Sequence, residues 1–253
     1  MFELDTIYNE DCLEGMKRIP DGSVDCIICD LPYGTTACKW DSVIPFEPLW
    51  EQYKRIAKPN AAIVLFGAEP FSSMLRLSNL DWFRYDIVWQ KTKFVNFAMI
   101  GKQPGRIHEM ISVFYKHQPT YNPQMGKGEP WTRKSTRNYQ VTDGIAQMMK
   151  QTMGQNTVND GSRQPTTVVR FSNNKAKGGS LHPTQKPVDL IAYLVRTYSN
   201  EGDTILDNCM GSGTTAIACI KEKRHYIGFE LNREYFDKAQ QRIKRDIQQQ
   251  TLF

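Results

Sequence analysis

Short apolar runs alternate with helical segments along most of this chain. The runs have the length and the β-branched content of buried strands, and segments with apolar residues at helical spacing lie between them. The runs are SVDCIIC, AAIVLFG, DTILD and HYIGFEL, at 23–29, 61–67, 203–207 and 225–231. Because strands that alternate with helices pair in the same direction, this pattern predicts an α/β fold with a mostly parallel sheet.

One long segment, 118–180, departs from this periodicity. It is rich in Gly, Pro, Asn, Gln, Thr and Lys, and it carries nine Lys and Arg residues against three Asp and Glu. A structureless loop of this length is unusual inside a compact domain, so the segment is predicted to be an inserted functional region. Its excess positive charge favours a polyanionic partner.

The remaining composition is that of an ordinary globular protein. The apolar runs are too short to span a bilayer, and the acidic N-terminus lacks a signal pattern, so we expect no membrane association and a cytoplasmic location. Cys26 and Cys29 form a C-x-x-C, but positions three apart on a strand point to opposite faces. Reduced, buried thiols are therefore expected here, and no metal site.

A glycine loop lies between a strand and a helix near the C-terminus. In TILDNCMGSGTTAIA, Gly211 and Gly213 let the backbone approach a ligand, and the helix that begins at Thr214 offers free amides. The next strand ends at Glu230, in position to accept hydrogen bonds from a ribose diol. These features predict a nucleotide-type cofactor site, with a turn chosen only for close packing as the alternative.

Asp207 discriminates between the ligands of this loop. The spacing from Gly211 to Ala216 also fits the dinucleotide fingerprint, so a dinucleotide-binding oxidoreductase is one interpretation. A carboxylate at the strand tip repels a pyrophosphate, whereas it attracts an ammonium and a sulfonium. S-adenosylmethionine has a ribose, both cations and no phosphate, and it is the predicted cofactor.

A second candidate site follows the strand SVDCIIC. Pro32 biases Leu31 toward extended backbone, which can aim the Leu31 carbonyl outward. Asp30 supplies a second acceptor, and two acceptors at one point suit an NH₂ group with its two donors. Tyr33 offers a flat face for a planar base. The stretch predicts a grip for an aromatic exocyclic amine, with a simple strand-end turn as the alternative.

Three motifs together resemble those of the DNA amino-methyltransferases. DLPYG at 30–34 resembles the D-P-P-Y catalytic motif, and LDNCMGSGTT at 206–215 resembles the D-P-F-x-G-S-G-T cofactor loop. HPTQKP at 182–187 matches the segment that precedes that loop. Because the catalytic motif comes first, the order is that of the circularly permuted β class, which has a Rossmann-like methyltransferase fold. The resemblance implies a catalytic domain formed by 1–117 and 181–253, with a target-recognition region at 118–180.

The resemblance also implies individual roles. Asp11 contacts the cofactor adenine, Glu230 holds the ribose, and Asp207 lines the methionine end. Lys186 and its neighbour Thr184 lie near the cofactor carboxylate. The implied catalytic residues are Asp30, Leu31, Pro32 and Tyr33. The implied cofactor site comprises Asp11, Cys12, Asp30, Thr184, Lys186, Asp207, Asn208, Gly211, Ser212, Gly213, Thr214, Glu230 and Leu231.

Two positions depart from the family pattern. Leu31 replaces the first proline of the catalytic motif, but it keeps the carbonyl that the chemistry needs. Asn208 and Cys209 replace Pro-Phe in the cofactor loop, which removes an aromatic ring that commonly packs near the cofactor.

The activity implied by the resemblance is methyl transfer to the N6 amine of adenine in duplex DNA, with the target base flipped out of the helix. Asp30, where serine would favour cytosine, favours adenine; cytosine N4 methylation and an RNA or protein amino-methyltransferase stay open. A homodimer and a restriction endonuclease partner also stay open. The residues expected to bind DNA are Arg133, Lys134, Arg137, Arg163 and Arg170.

Overall fold

The computed structural model describes residues 3–34, 42–99, 101–133, 157–173 and 185–250. The chain divides into unit 1, Met1–Asn122 with Thr167–Phe253, and unit 2, Pro123–Thr166. Within the described ranges no helix is long and apolar enough to cross a membrane.

Strands and helices follow one another through the described residues much as the apolar runs predict. The strands are β1 Thr6–Tyr8, β2 Val24–Cys29, β3 Ala57–Gly67, β4 Phe83–Gln90, β5 His108–Phe114, β6 Gly126–Lys127, β7 Trp131–Arg133, β8 Thr157–Asn159, β9 Ser162–Arg163, β10 Val168–Arg170, β11 Thr204–Asp207 and β12 His225–Phe229. The helices are α1 Cys12–Met16, α2 Phe46–Ile56, α3 Phe71–Leu77, α4 Val188–Tyr198, α5 Thr214–Lys221 and α6 Arg233–Gln250.

Unit 1 is organised around one eight-stranded sheet, in the order β1-β12-β11-β2-β3-β5-β4-β10. Every neighbouring pair is parallel except the two that involve β5, which runs against β3 and β4. The prediction of a mostly parallel α/β sheet is confirmed. The carboxyl ends of β1, β12, β11, β2, β3 and β4 therefore lie along one edge, where β5 begins, and this is where such sheets bind ligands.

The two faces of the sheet are each covered by an apolar core. Along β2, Cys26 and Ile28 belong to one core, whereas Ile27 and Cys29 belong to the other, as the period of two in a strand requires. All four side chains are buried. The two cysteines of the C-x-x-C thus lie on opposite sides of the sheet.

The end of α2 differs from the prediction. The helical spacing of FEPLWEQYKRIAKPN predicts a helix that ends at Pro59 and Asn60, but α2 ends at Ile56 and β3 begins at Ala57. Pro59 disfavours helical backbone at the residue before it, and Ala57 already pairs with Val24 of β2. A register shift then follows, since Cys26 pairs with Ala62.

Unit 2 contains two small antiparallel ladders, β6 with β9 and β7 with β8. The Arg163 guanidinium donates to the Asn159 side chain at 2.5 Å and to the Glu129 carbonyl, so it holds this unit together internally. The neighbouring strand β10, which also derives from 118–180, pairs with β4 in the sheet of unit 1. The role of 118–180 in target recognition stays a prediction.

Candidate active site

A cavity of about 1010 Å³ lies at the carboxyl edge of the sheet in unit 1. Both candidate sites line this cavity, because the loops after β2, β11 and β12 all begin at the carboxyl edge of the sheet. The predicted residues that line the cavity are Asp11, Cys12, Asp30, Leu31, Pro32, Tyr33, Lys186, Asp207, Asn208, Gly211, Ser212, Thr214, Glu230 and Leu231. The two motifs, nearly 180 residues apart in the chain, thus form one site.

Asp207 anchors the glycine loop to the helix that follows it. Its carboxylate accepts from the Cys209 amide at 3.0 Å and from the Thr215 hydroxyl at 2.5 Å. Burial raises the pKa of Asp207 to about 6, although these two hydrogen bonds favour the ionised form. These two hydrogen bonds fix the position of the loop relative to α5.

The two glycines of this loop serve different purposes. Gly213 caps α5 with φ +79°, and a Cβ there would lie 3.2 Å from the Ala239 side chain, so it allows α6 to pack closely. Gly213 does not belong to the cavity wall. Gly211 does, with φ +56°, and its amide donates to Glu230 Oε2 at 2.8 Å.

Glu230 follows β12 and points into the same cavity. Its second carboxylate oxygen, Oε1, accepts from the Asn232 amide at 2.7 Å. Burial raises the pKa of Glu230, and the two amide donors oppose this shift. A carboxylate has about four acceptor positions, so both oxygens can still accept from a diol.

Asp11 lies at the start of α1, where its Oδ1 accepts from the amides of Leu13 and Glu14 at 2.8 and 3.2 Å. It is thus a helix N-cap that also faces the cavity.

On the same helix, a Cβ on Gly15 would lie 2.1 Å from the Phe229 ring. Only glycine lets α1 approach β12 this closely.

Asn208 and Cys209, the departures from the family pattern, are held by polar contacts. The Tyr53 hydroxyl donates to Asn208 Oδ1 at 2.5 Å, and Asn208 Nδ2 lies 3.5 Å from Cys12 Sγ. Asn208 is buried. The side-chain amide of Asn208 is therefore hydrogen-bonded to Tyr53 and Cys12 beside the loop.

Asp30 lies directly after β2 with both carboxylate oxygens engaged. Oδ1 accepts from the Tyr33 hydroxyl at 2.6 Å, and Oδ2 accepts from the Lys186 ammonium at 2.5 Å. The Tyr33 ring packs against Phe71, with centroids 5.0 Å apart. The carboxylate is thus fixed in position at the cavity wall.

A chain of buried charges extends from Asp30 across the sheet. The Lys186 ammonium also lies 3.4 Å from Glu109 Oε2, and the Lys91 ammonium forms an ion pair with Glu109 Oε1. Lys91 follows β4 and Glu109 lies near the start of β5, so the sheet topology brings both to this edge. Two cations and two anions alternate, and their formal charges cancel.

Burial and ion pairing act in opposite directions within this chain of charges. Burial raises the pKa of Asp30, and Lys186 limits the rise. Burial would also raise the pKa of Glu109, but Lys186 and Lys91 together hold it below its ordinary value. The pKa of Lys186 is raised despite burial, because it faces both carboxylates. Lys186 favours ionised Asp30 most strongly, and the hydrogen bond from Tyr33 acts in the same direction.

Comparison with known proteins decides the family. The family model described as "DNA methylase", for N6 and N4 methyltransferases, matches residues 24–241. This chain belongs to the DNA methylase family. The match spans β2 to α6 and therefore includes both the catalytic motif and the glycine loop.

Curated relatives of this methylase include two type II methyltransferases. M.HpaI of Haemophilus parainfluenzae is 30% identical over 250 residues, which cover 92% of this chain and 72% of the relative. M.HinfI of Haemophilus influenzae is 27% identical, with 95% of this chain and 68% of the relative covered.

Solved structures share the fold of the methylase. A complex of M1.HpyAVI with SAM has a TM-score of 0.62 at 24% identity and covers 94% of this chain and 98% of its own. The cytosine-N4-specific PvuII DNA methyltransferase has a TM-score of 0.66 at 15% identity, with 96% and 91% covered. The predicted Rossmann-like methyltransferase fold is confirmed.

Three residues of the methylase site escape the sequence motifs. Lys91 and Glu109 extend the ion chain, and a charged residue at the end of a buried strand is the signal that marks each. Arg242 of α6 donates to the Ser212 carbonyl and to the Thr214 hydroxyl, both at 3.0 Å. These hydrogen bonds tie α6 to the glycine loop.

The described residues that are predicted to bind DNA belong to both units. Arg133 is exposed in β7, Arg163 is bound within unit 2, and Arg170 is exposed in β10. Lys134 and Arg137 lie outside the described residues, as does Thr184. Their roles stay predictions.

Proposed function

We propose that the methylase transfers a methyl group from S-adenosylmethionine to the N6 amine of adenine in duplex DNA. The observation that carries this proposal is the shared cavity, because the carboxylate of Asp30 and the glycine loop with Glu230 line the same space. An amine held at Asp30 is then next to a cofactor held by the loop.

The cofactor end of the cavity fits S-adenosylmethionine. Glu230 offers a carboxylate to the ribose diol, and Asp11 lies at the same end as a second acceptor. Asp207 adds negative charge beside a ligand with an ammonium and a sulfonium. When bound, S-adenosylmethionine supplies a methyl group on a positively charged sulfur.

The catalytic end binds and orients the amine. The Asp30 carboxylate and the Leu31 carbonyl accept its two hydrogens, which directs the nitrogen lone pair toward the cofactor side of the cavity. Tyr33 and Lys186 fix the carboxylate, so the acceptor is placed before the base arrives. Preorganised acceptors of this kind and the close approach of both reactants supply the acceleration. The proton released by the methylated amine leaves to solvent.

Asp30 is the reason to favour adenine over cytosine. It stands where a serine is expected for the cytosine amine, and its carboxylate is a stronger acceptor than a hydroxyl. Cytosine N4 methylation, the specificity of the PvuII enzyme, is the competing reaction.

Asp30→Ala tests this proposal directly. Asp30 contacts the target amine, so single-turnover methylation of an adenine-containing duplex should fall on the order of 10²-fold or more. S-adenosylmethionine affinity, measured by isothermal titration, should stay near the wild-type value. Asp30→Asn, which keeps one acceptor oxygen, is the matched control and should retain more activity. Full activity of Asp30→Ala would show that Asp30 does not bind the target amine.

Three further statements about the methylase stay predictions. A homodimer is tested by sedimentation, and a restriction endonuclease partner by assaying the proteins that co-purify with this one for cleavage of unmethylated DNA. A cytoplasmic location is tested by fractionation.

A further inference from the structure

A braced hairpin extends the β4–β5 pair beyond the sheet. This hairpin, residues 92–107 with 92–99 and 101–107 described, begins where the Lys91 amide donates to the Ile107 carbonyl at 2.7 Å. Farther along, the Val95 amide donates to the Arg106 carbonyl at 3.1 Å, and the Arg106 amide donates to Asn96 Oδ1 at 2.5 Å. These bonds hold its described part in one conformation.

The hairpin exposes apolar and basic side chains together. Phe97 is 64% exposed, and its ring packs on Phe94 with centroids 4.6 Å apart. Its basic residues, Lys93, Lys102 and Arg106, are exposed, and no Asp or Glu occurs between 92 and 107. An exposed aromatic ring among basic side chains fits a polyanion that also has flat apolar faces.

The hairpin borders the catalytic end of the cavity. Val95 and Arg106 belong to the cavity wall, as does Asp30. At its base, Lys91 connects to Asp30 through the ion pairs of Glu109 and Lys186. The hairpin is thus continuous with the elements that hold the catalytic carboxylate.

We propose that the hairpin 92–107 contacts the DNA duplex around the target adenine, with Phe97 occupying the space that the flipped base leaves. This inference rests on the proposed function. A flipped base stays attached to its strand, so the surface that surrounds the catalytic end of the cavity meets the flanking nucleotides. An apolar side chain placed there stabilises the opened duplex, and basic residues beside it bind phosphates.

Phe97→Ala on two DNA substrates tests the proposal. One is a duplex that the wild-type protein methylates, and the other is the same duplex with an abasic site opposite the target adenine. Single-turnover methylation of the paired duplex should fall about 5- to 150-fold, the range for removing one aromatic contact to a base. On the second duplex the loss should be much smaller, because the adenine is already unpaired.

Leu77→Ala is the matched control, since Leu77 is 68% exposed and lies outside the cavity wall. It should keep the wild-type rate on both substrates. A second variant, Lys93→Ala with Lys102→Ala, should reduce the slope of log affinity against log salt concentration.

Several results would overturn the inference. A Phe97→Ala variant that methylates the paired duplex at the wild-type rate would contradict it. Equal losses of methylation rate on the two substrates would also contradict it. A changed sedimentation of the free protein with unchanged rates would assign Phe97 to contact with a second copy instead. If the wild-type protein methylates no duplex, the proposed function fails and the inference fails with it.

Discussion

Replacing Lys186 with methionine removes the cation that faces Asp30. The ammonium lies 2.5 Å from Asp30 Oδ2 and 3.4 Å from Glu109 Oε2, and all three groups are largely buried. Methionine keeps most of the volume of the side chain but not its charge. The groups that face Asp30 are then Glu109, which disfavours its ionisation, and the neutral Tyr33.

The expected effect follows from the cost of breaking a buried ion pair, about 3–5 kcal/mol. We assign about a third of this cost, about 1.4 kcal/mol, to destabilisation of the ionised form of Asp30. A destabilisation of this size lowers the ionised fraction about tenfold at pH values well below the pKa of Asp30. Because removing the cation raises the pKa of Asp30, activity is lost at a higher pH than in the wild type. The rate should therefore fall on the acid side of the pH–rate profile and should recover as the pH rises.

Single-turnover methylation across a pH series measures this effect, with cofactor titration at each pH. Lys91→Met is the matched control, because Lys91 pairs with Glu109 and does not contact Asp30. The acid limb of the pH–rate profile of Lys91→Met should stay close to that of the wild type. A Lys186→Met variant with an unmoved acid limb and weaker cofactor binding would refute the reasoning, and it would favour the role beside the cofactor carboxylate that the motif implies.

Three other variants test separate parts of the account. Glu230→Ala should weaken S-adenosylmethionine binding by about 1.5–3 kcal/mol in calorimetry, with the rate at saturating cofactor largely recovered; an unchanged affinity contradicts the ribose role. Gly15→Ala should lower the free energy of unfolding by about 1–3 kcal/mol, because its Cβ meets the Phe229 ring at 2.1 Å; an unchanged denaturation midpoint contradicts this. Replacing three basic residues of 118–180 with alanine should flatten the salt dependence of DNA affinity, and an unchanged slope places the phosphate contacts elsewhere. These residues are Arg133, Lys134 and Arg137.

The sheet and the two motifs were predictable because local patterns encode them. The apolar run before Asp30 and the glycines after Asp207 mark a strand end and a strand–helix turn without knowledge of the rest of the chain. Parallel pairing then places both at one edge of the sheet. That rule brings distant motifs together from sequence alone.

The partners of Asp30 were not predictable in the same way. Lys186 was expected beside the cofactor carboxylate, and its ion pairs with Asp30 and Glu109 depend on the order of strands across the sheet. Glu109 reaches the edge because β5 runs antiparallel and begins there. Sequence periodicity reports the faces of a strand but not its neighbours.

Identifying the methylated nucleoside is the most direct test of the central claim. A duplex containing all four bases is incubated with the protein and S-adenosylmethionine carrying a deuterated methyl group. The DNA is then digested to nucleosides, and the labelled nucleoside is identified by mass spectrometry. The account predicts labelled N6-methyldeoxyadenosine, formed on the order of 10²-fold or more slowly by Asp30→Ala. Labelled N4-methyldeoxycytidine, or label in no nucleoside while the cofactor binds, would contradict it.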